Sequence, residues 1–512
     1  MSSSLMVILG TIIFYLFCMI VIGAVYSRKT KSSDDFYLGG RKLGPLVTAM
    51  SAEASDMSGW LLMGLPAVAL MCGLPEATWT AIGLAIGTYV NWLLVAKKLR
   101  VYSHRLNAFT LPDFFSKRFG DEKRLLTTVA AVIIVIFFIP YTASGFAACG
   151  KLFSSLFGMD YVTAMVISAI VIIVYCTLGG FLAASTTDFV QSIIMTIALL
   201  VVVGFGEGLV SGFGNVIKNV SQLDGYLDLF RGFNVATGET MSYGALPVAS
   251  TLAWGLGYFG MPHILLRFMA IEDENKLKLS RRVASVWVVI SMAIAVLIGV
   301  VGYGIMTSGI VPAYESASAA ETIIVDIARV LSKYGYVPAF TAGIILAGIL
   351  ASTMSTADSQ LLAAASSISQ NLVQETFKVK LSEKASVWLA RASVVAVSII
   401  AIFLAKNPDS SVFRIVSFAW AGFGAAFGPV VLFALFWKRT TKEGALAGML
   451  AGGVMIFVWK FIVRTTFAGT WLDIYELLPA FIIGCVVIVA VSLATKAPGK
   501  EITDIYDEIT AK

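Results

Sequence analysis

Histidine is nearly missing from this chain: His104 and His263 are the only two in 512 residues. They are too few and too far apart for a zinc centre. Cysteine is scarce as well. Cys18, Cys72, Cys149, Cys176 and Cys485 stand singly in or beside apolar runs, with no CxxC spacing. That pattern argues against a disulfide frame or a thiolate metal site and for buried thiols. Charge is thin, at 13% of residues. The sequence also lacks a low-complexity tract, a phosphate-cradling glycine loop and a nucleophile paired with a base, so no catalytic apparatus is visible and the chain reads as no enzyme. No cofactor is implied.

What is present in abundance is apolar: 58% of the residues are hydrophobic and the mean hydropathy is +0.86. A soluble core of this size needs nothing like that, so the chain reads as an all-α polytopic membrane protein in a lipid bilayer. Lys and Arg outnumber the acids, 37 to 31, but they fall in short loops between apolar runs. Topology explains that excess better than a nucleic-acid partner does. Residues 5 to 27 lack a basic start and exceed a signal peptide's apolar core, so a retained helix is expected.

Apolar windows of about 20 residues predict thirteen transmembrane helices, starting near residues 5, 45, 77, 125, 159, 188, 245, 283, 338, 385, 411, 443 and 472. Most of the bases lie on one side: Arg28, Lys29, Lys31, Arg41 and Lys42, the run from Lys97 to Arg124, then Arg267, Lys276, Lys278, Arg281 and Arg282. Lys378, Lys380, Lys384 and Arg391 follow, then Lys438, Arg439 and Lys442, and in the tail Lys496, Lys500 and Lys512. That side is expected to be cytoplasmic, with the N-terminus outside and the C-terminus inside. Of the two longer external loops, 212 to 244 and 309 to 337, the second spaces Ile323, Ile324, Ile327 and Val330 as a short surface helix would. Gly179-Gly180 and Gly452-Gly453 suit close helix packing.

Two spans are broken. The second carries MSAEASDMSGWLLMGLP at 50 to 66, with Glu53 and Asp56 at membrane depth, and the seventh is interrupted by Gly255, Gly257, Gly260 and Pro262. A carboxylate inside a bilayer is a functional hypothesis by default. Freed backbone groups are tolerable there only where they line a cavity or bind something. Such breaks in corresponding places point to a secondary transporter's central site, and five spans per repeat makes the halves inverted. The expected organisation is a first helix and loop at 1–44, one repeat at 45–211, an external loop and second repeat at 212–437, and two further helices with a tail at 438–512.

Span nine supplies hydroxyls: Ser352, Ser355, Thr356 and Ser359 share one helix face, with Asp358 beside them. A hard monovalent cation wants such oxygens. Packing with hydroxyls bonded back along the helix is the plainer reading, though a buried Asp needs a partner that packing does not supply. Asp188, in STTDFVQ at the expected start of span six, is a third acid, a cation ligand or an N-cap.

Several stretches resemble the sodium/solute symporter family. They are SAEASDMSGWLLMGLP at 51 to 66, AFTLPDFF at 108 to 115, WGLGYFGMPHILLRFMA at 254 to 270, MSTADSQLL at 354 to 362, SFAWAGFGAAFGPVVLF at 417 to 433 and ALFWKRTTKEGALAGMLAGG at 434 to 453. The resemblance covers nearly the whole chain and implies a leucine-transporter-like core of five plus five inverted helices, with one helix before and two after. It implies sodium as the coupling ion, held by the backbone oxygens of Ala54, Met57 and Ser352 and the hydroxyls of Ser355 and Thr356, with Asp56 shaping the site. It carries substrate contacts to Ser58, Gly59, Trp60, Tyr141, Trp254, Tyr258 and Pro262. L-proline is the implied substrate, imported across the plasma membrane, with no obligate protein partner.

Three departures stand out. Glu53 takes the place of a glycine, Met261 that of a glutamine, and Pro140 directly precedes Tyr141. Three readings of Glu53 stay open: a partner for a base, a proton carrier, or a residue that tunes the cation site. Met261 removes a hydrogen bonder near the substrate, which makes both residues candidates for tuning selectivity. Asp188, Asp358 and Ser359, with Ser355, are candidates for a second cation site. The rival readings are coupling to protons, another small zwitterion as substrate, or, from a different class, a channel or a membrane sensor. A channel wants a continuous polar pore, whereas the polar groups here cluster at two breaks and one hydroxyl face.

Overall fold

The computed structural model describes residues 2–27, 37–178 and 180–510. Arg28, Lys29, Lys31, Gly179 and Lys512 lie outside the described residues. Nearly everything in it is helix, as lipid requires, because only a helix or a closed barrel pairs its own backbone groups in hydrocarbon. Among the described residues ten helices are long and apolar enough to cross a membrane, and an eleventh span forms if the bent pair Pro45–Asp56 and Trp60–Cys72 is taken as one. Tyr161–Leu178 is shorter but apolar, and residues 245–270 form helix Ala245–Leu252, a 3-10 stretch Ala253–Phe259 and helix Pro262–Ala270.

Two of the ten spans are the interior of the protein. Tyr336–Thr376 has 72% of its apolar window buried and Val412–Phe436 has 83%, against 22% for the first helix. Helix Tyr336–Ser366 packs against Phe181–Leu209, Ser3–Ser27 and Leu125–Phe157. Its alanines, glycines and serines leave room for that. Helix Leu277–Thr307 covers Leu65–Cys72, and Lys442–Val458 pairs with Leu477–Ala494.

One helix crossing is unusually tight. A Cβ on Gly83 would lie 2.8 Å from the Leu252 Cα, and one on Gly255 would lie 3.3 Å from the Gly87 Cα. Leu74–Val90 and the 3-10 stretch therefore meet backbone to backbone.

Outside the spans, the loop from 212 to 244 holds helix Phe213–Val220 and an antiparallel hairpin, Arg231–Asn234 with Glu239–Ser242, in register Arg231 to Ser242. The spacing of isoleucines in the next loop does form a helix, Ile323–Leu331. Its apolar face packs down on the protein, with Ile323, Ile324 and Ile327 all buried. The chain ends on helix Lys500–Thr510, whose Tyr506 ring lies 5.1 Å from the buried Arg118 guanidinium. All five cysteines are free.

Candidate functional site

The first break follows from local sequence. Helix Pro45–Asp56 ends where Met57 leaves helical geometry at ψ 70, although its N–H still reaches the Glu53 carbonyl at 2.8 Å. After Ser58 and Gly59 the chain resumes as a π turn, Trp60–Gly64, then as Leu65–Cys72, bent by 59°. Gly59 is needed for closeness, since a Cβ there would come 2.9 Å from that of Ala148. Trp60 Nε1 and the Tyr141 hydroxyl both donate to the Asp56 carbonyl, at 3.1 and 3.2 Å. They satisfy one acceptor of a helix end that has no next turn.

At the second break, the Trp420 indole donates to the Trp254 carbonyl at 2.7 Å and Asn91 Nδ2 to the Tyr258 carbonyl at 3.0 Å. Met261 is fully buried and extended, and Pro262 opens the helix that follows. The two breaks are joined directly: the Tyr258 hydroxyl donates to Asp56 Oδ2 at 2.6 Å.

The serine-rich helix lies on the first break. Ser355 Oγ donates to the Ala54 carbonyl at 2.8 Å and approaches the Ser352 carbonyl at 3.2 Å, where Thr356 Oγ1 also donates at 3.0 Å. Four of the five oxygens expected to hold a cation are therefore in one hydrogen-bonded cluster, and the fifth, the Met57 carbonyl, belongs to the residue that caps the same helix end. Hydroxyl hydrogens can swing aside, which turns the cluster into an all-oxygen donor set suited to a hard monovalent ion. The residues fit sodium.

Aromatic rings wall the space between the breaks. Trp60 and Trp254 have centroids 6.1 Å apart, and Trp254 also meets Phe413 at 5.1 Å, Tyr475 at 5.4 Å and Trp420 at 6.4 Å. Ser58, Trp60, Tyr141, Trp254 and Tyr258 are each no more than 3% exposed. These side chains are shielded from solvent in this conformation.

Arg267 was expected in a loop, yet it is buried in helix Pro262–Ala270, 1% exposed. Its Nη2 donates to Asp188 Oδ2 at 3.1 Å and to Ser359 Oγ at 2.5 Å, its Nε to Ser51 Oγ at 3.0 Å, and its Nη1 to the His263 carbonyl at 2.9 Å. Ser51 and Ser359 pass the hydrogen bonds on, to Asp188 at 2.6 Å and to Asp358 at 3.1 Å. The three candidates for a second cation, Asp188, Asp358 and Ser359, are thus gathered around a guanidinium. Asp188 is no N-cap either: its helix starts at Phe181, two turns earlier, because STTDFVQ continues the helix begun by FLAA. A lone arginine in the apolar run HILLRF was the signal for this knot.

Among the described residues Glu53 meets no base. Its Oε1 accepts from Trp92 Nε1 at 2.8 Å. A second knot, not foreseen from the sequence, lies towards the opposite side of the molecule. Lys151 Nζ reaches Glu321 at 2.6 Å and Ser318 Oγ at 2.8 Å, while Glu321 Oε1 accepts from Ser411 Oγ at 2.8 Å and from the Phe413 N–H at 3.3 Å.

Residues 36–452 match the model of the sodium:solute symporter family. The sodium/proline symporter of Escherichia coli K12 is 42% identical, over 98% of this chain and 96% of that protein. The high-affinity proline transporter PutP of Bacillus subtilis is 41% identical, over 96% of this chain and 98% of its own length. The osmoregulated proline transporter OpuE of the same species is 40% identical, over 98% and 96%. Among solved structures, a substrate-bound, outward-open Na+-coupled sialic acid symporter superposes with a TM-score of 0.78 at 16% identity, covering 96% of this chain and 99% of that one. The nucleobase-cation-symport-1 transporter MHP1 in a closed conformation gives 0.51 at 12% identity, with 93% and 98% covered. At these identities the two structures speak to the fold alone.

Proposed function

From the premise that this chain belongs to the sodium:solute symporter family, we propose that it is a sodium-coupled secondary symporter importing L-proline, a transporter and not an enzyme. The observation that carries the reading is the 2.8 Å bond from Ser355 to the Ala54 carbonyl, which seats the serine-rich helix on the first break. A bound sodium ion supplies positive charge between those two elements. Ala54, Met57, Ser352, Ser355 and Thr356 hold it, and Asp56 sets the angle of the helix end through Tyr258, Trp60 and Tyr141. The amides and hydroxyl of Ser58 and Gly59 face the substrate carboxylate. Trp60, Tyr141, Trp254, Tyr258 and Pro262 enclose its ring and secondary ammonium.

Thirteen spans result when Tyr161–Leu178 and residues 245–270 are added to the eleven. Residues 45–211 and 212–437 then form the inverted repeats, with one helix before and two after. The basic loops lie in the cytoplasm of a plasma-membrane protein, and the N-terminus lies outside. Asp188, Asp358 and Ser359 close the inner side with Arg267, and a cation enters there only in a state in which the guanidinium has moved off. Met261 turns an apolar side towards the substrate and, with Glu53, separates this chain's selectivity from that of its relatives.

Uptake of labelled proline into proteoliposomes, with sodium and proton gradients imposed separately, tests the reading. Sodium-driven uptake, abolished by excess unlabelled proline, is the expected result. Uptake driven by protons without sodium overturns the coupling ion, and failure of proline to compete overturns the substrate.

A further inference from the structure

Four acids are buried at the heart of the protein: Glu53 at 1% exposure, Asp56 and Asp188 at 0%, and Asp358 at 2%. Asp188 is paired with Arg267, and Asp358 is joined to it through Ser359. Glu53 and Asp56 have no base among the described residues, and a buried negative charge without compensation costs several kcal/mol. They are three residues apart on one helix and so share a face.

Each carboxylate is pinned by one oxygen. Trp92 Nε1 fixes Glu53 Oε1 at 2.8 Å and the Tyr258 hydroxyl fixes Asp56 Oδ2 at 2.6 Å. Glu53 Oε2 and Asp56 Oδ1 are left buried with no hydrogen-bond partner. On the span Leu74–Arg105, which carries Trp92, Thr88 Oγ1 and Asn91 Oδ1 are in the same condition, and both residues are fully buried. The Asn91 amide is set by its bond to the Tyr258 carbonyl, and Tyr258 is the residue that holds Asp56. Thr88 precedes Asn91 by three residues, on the same helix face. Trp92, next to Asn91, holds Glu53. Four orphan oxygens are thus borne by two elements that Tyr258 and Trp92 clamp together.

Of the other charged or titratable groups nearby, His263 is buried with neither ring nitrogen hydrogen-bonded, and the rest are engaged or distant. His263 and Arg267 lie on helix Pro262–Ala270, where Arg267 serves Asp188, Ser51 and Ser359. Asp188 and Asp358 belong to that knot. On helix Leu277–Thr307 the bases Lys278, Arg281 and Arg282 stand at its first turns, with Arg281 over the Tyr89 ring. Beyond Trp92, Lys97 is exposed, Lys98 lies over the Phe436 ring and Arg100 donates to the Ile271 carbonyl at 2.8 Å.

We propose that Glu53, Asp56, Thr88 and Asn91 form a binding site for a second hard monovalent cation, sodium, separate from the Ala54 and Ser355 cluster. All four donors are oxygens, two of them anionic, which is the chemistry such an ion selects. Both sites draw on helix Pro45–Asp56, so filling one orders the helix end that the other uses. The identity of the ion rests on the sodium-coupled reading above; the existence of the site does not.

Equilibrium binding of radioactive sodium to the purified full-length chain in detergent tests this, with E53Q, which keeps the shape and the acceptor for Trp92, and with the pair S355A/T356A. Sodium bound at saturation falls by about half in E53Q, by about half in S355A/T356A, and to background in the combination, as expected when each change empties one of two sites. T88V, which leaves both carboxylates, weakens the second binding phase by about tenfold. Saturation binding in E53Q and T88V equal to wild type overturns the proposal. So does wild-type sodium binding in E53Q together with loss of proton uptake, which assigns the acid to a proton. Unchanged binding in S355A/T356A alone, by contrast, strikes the serine-helix site and leaves this one standing.

Discussion

Removing a single hydroxyl, that of Ser355, gives the sharpest test of how cation and fold are joined. Its Oγ is 2.8 Å from the Ala54 carbonyl and 3.2 Å from that of Ser352, and the residue is fully buried. In the bound state S355A deletes one of the five proposed oxygens. A hydrogen bond to a charged group is worth about 1.5–3 kcal/mol, and the loss of a neutral oxygen from a cation is taken as comparable. At about 1.4 kcal/mol per tenfold, half-saturating sodium for proline uptake should rise about ten- to a hundredfold, with the maximal rate kept at high sodium. T356A likewise deletes a proposed sodium oxygen together with a donor to the Ser352 carbonyl, and because both hydroxyls meet that carbonyl the two effects should not add. S355T keeps an oxygen and should recover most of the loss. The assay is initial-rate uptake into proteoliposomes across a sodium series at saturating proline. A sodium curve for S355A that superimposes on wild type would refute the reasoning and reduce the serine face to packing.

Four further outcomes follow from the same geometry. Y258F strips Asp56 of its hydroxyl donor and should weaken proline binding in a scintillation assay by about ten- to a hundredfold, since about 1.5–3 kcal/mol is lost. R267M leaves Asp188 buried without its cation, so a loss of about 3–5 kcal/mol is expected in thermal unfolding of the purified protein, largely restored in R267M/D188N. G83A forces a Cβ against the Leu252 backbone and should cost about 1–3 kcal/mol, read as a lower monodisperse fraction on size exclusion. E321Q weakens the Lys151 knot, so Cys149, two residues from Lys151, should react about tenfold faster with an impermeant maleimide when the other four cysteines are replaced by serine.

The parts of the fold that announce themselves in the sequence are those where composition collides with the bilayer. Gly59, Gly255, Gly257, Gly260 and Pro262 interrupt apolar runs, and both interruptions are breaks in the structure. The threefold and fourfold spacing of Ser352, Ser355, Thr356 and Ser359 marks one face because a helix has few ways to arrange it. Partnerships between distant elements are less visible. Arg267 sits nine residues before a run of loop bases, so charge counting assigns it to the loop, and only packing against Phe181–Leu209 reveals Asp188 as its mate. Lys151 and Glu321 are 170 residues apart. Nothing local ties Glu53 to Trp92, because an indole donor leaves no charge pattern to match. The hairpin at 231 to 242 was missed for a plainer reason: ETMS is wholly exposed and carries no apolar alternation.

The crossing of Gly83 and Gly87 with Gly255 restricts which motions are open to the machine. Two helices that meet through side chains can slide, because rotamers act as a lubricant layer between them. Here no such layer exists, so Leu74–Val90 and the 3-10 stretch are welded and must travel as one body. A shear plane of the transport cycle is therefore expected elsewhere, and the face where the serine-rich helix rests on the first break, joined through side chains, is a candidate. A joint there would coincide with the proposed sodium ligands, and the ion would then work as a removable pin through the bearing.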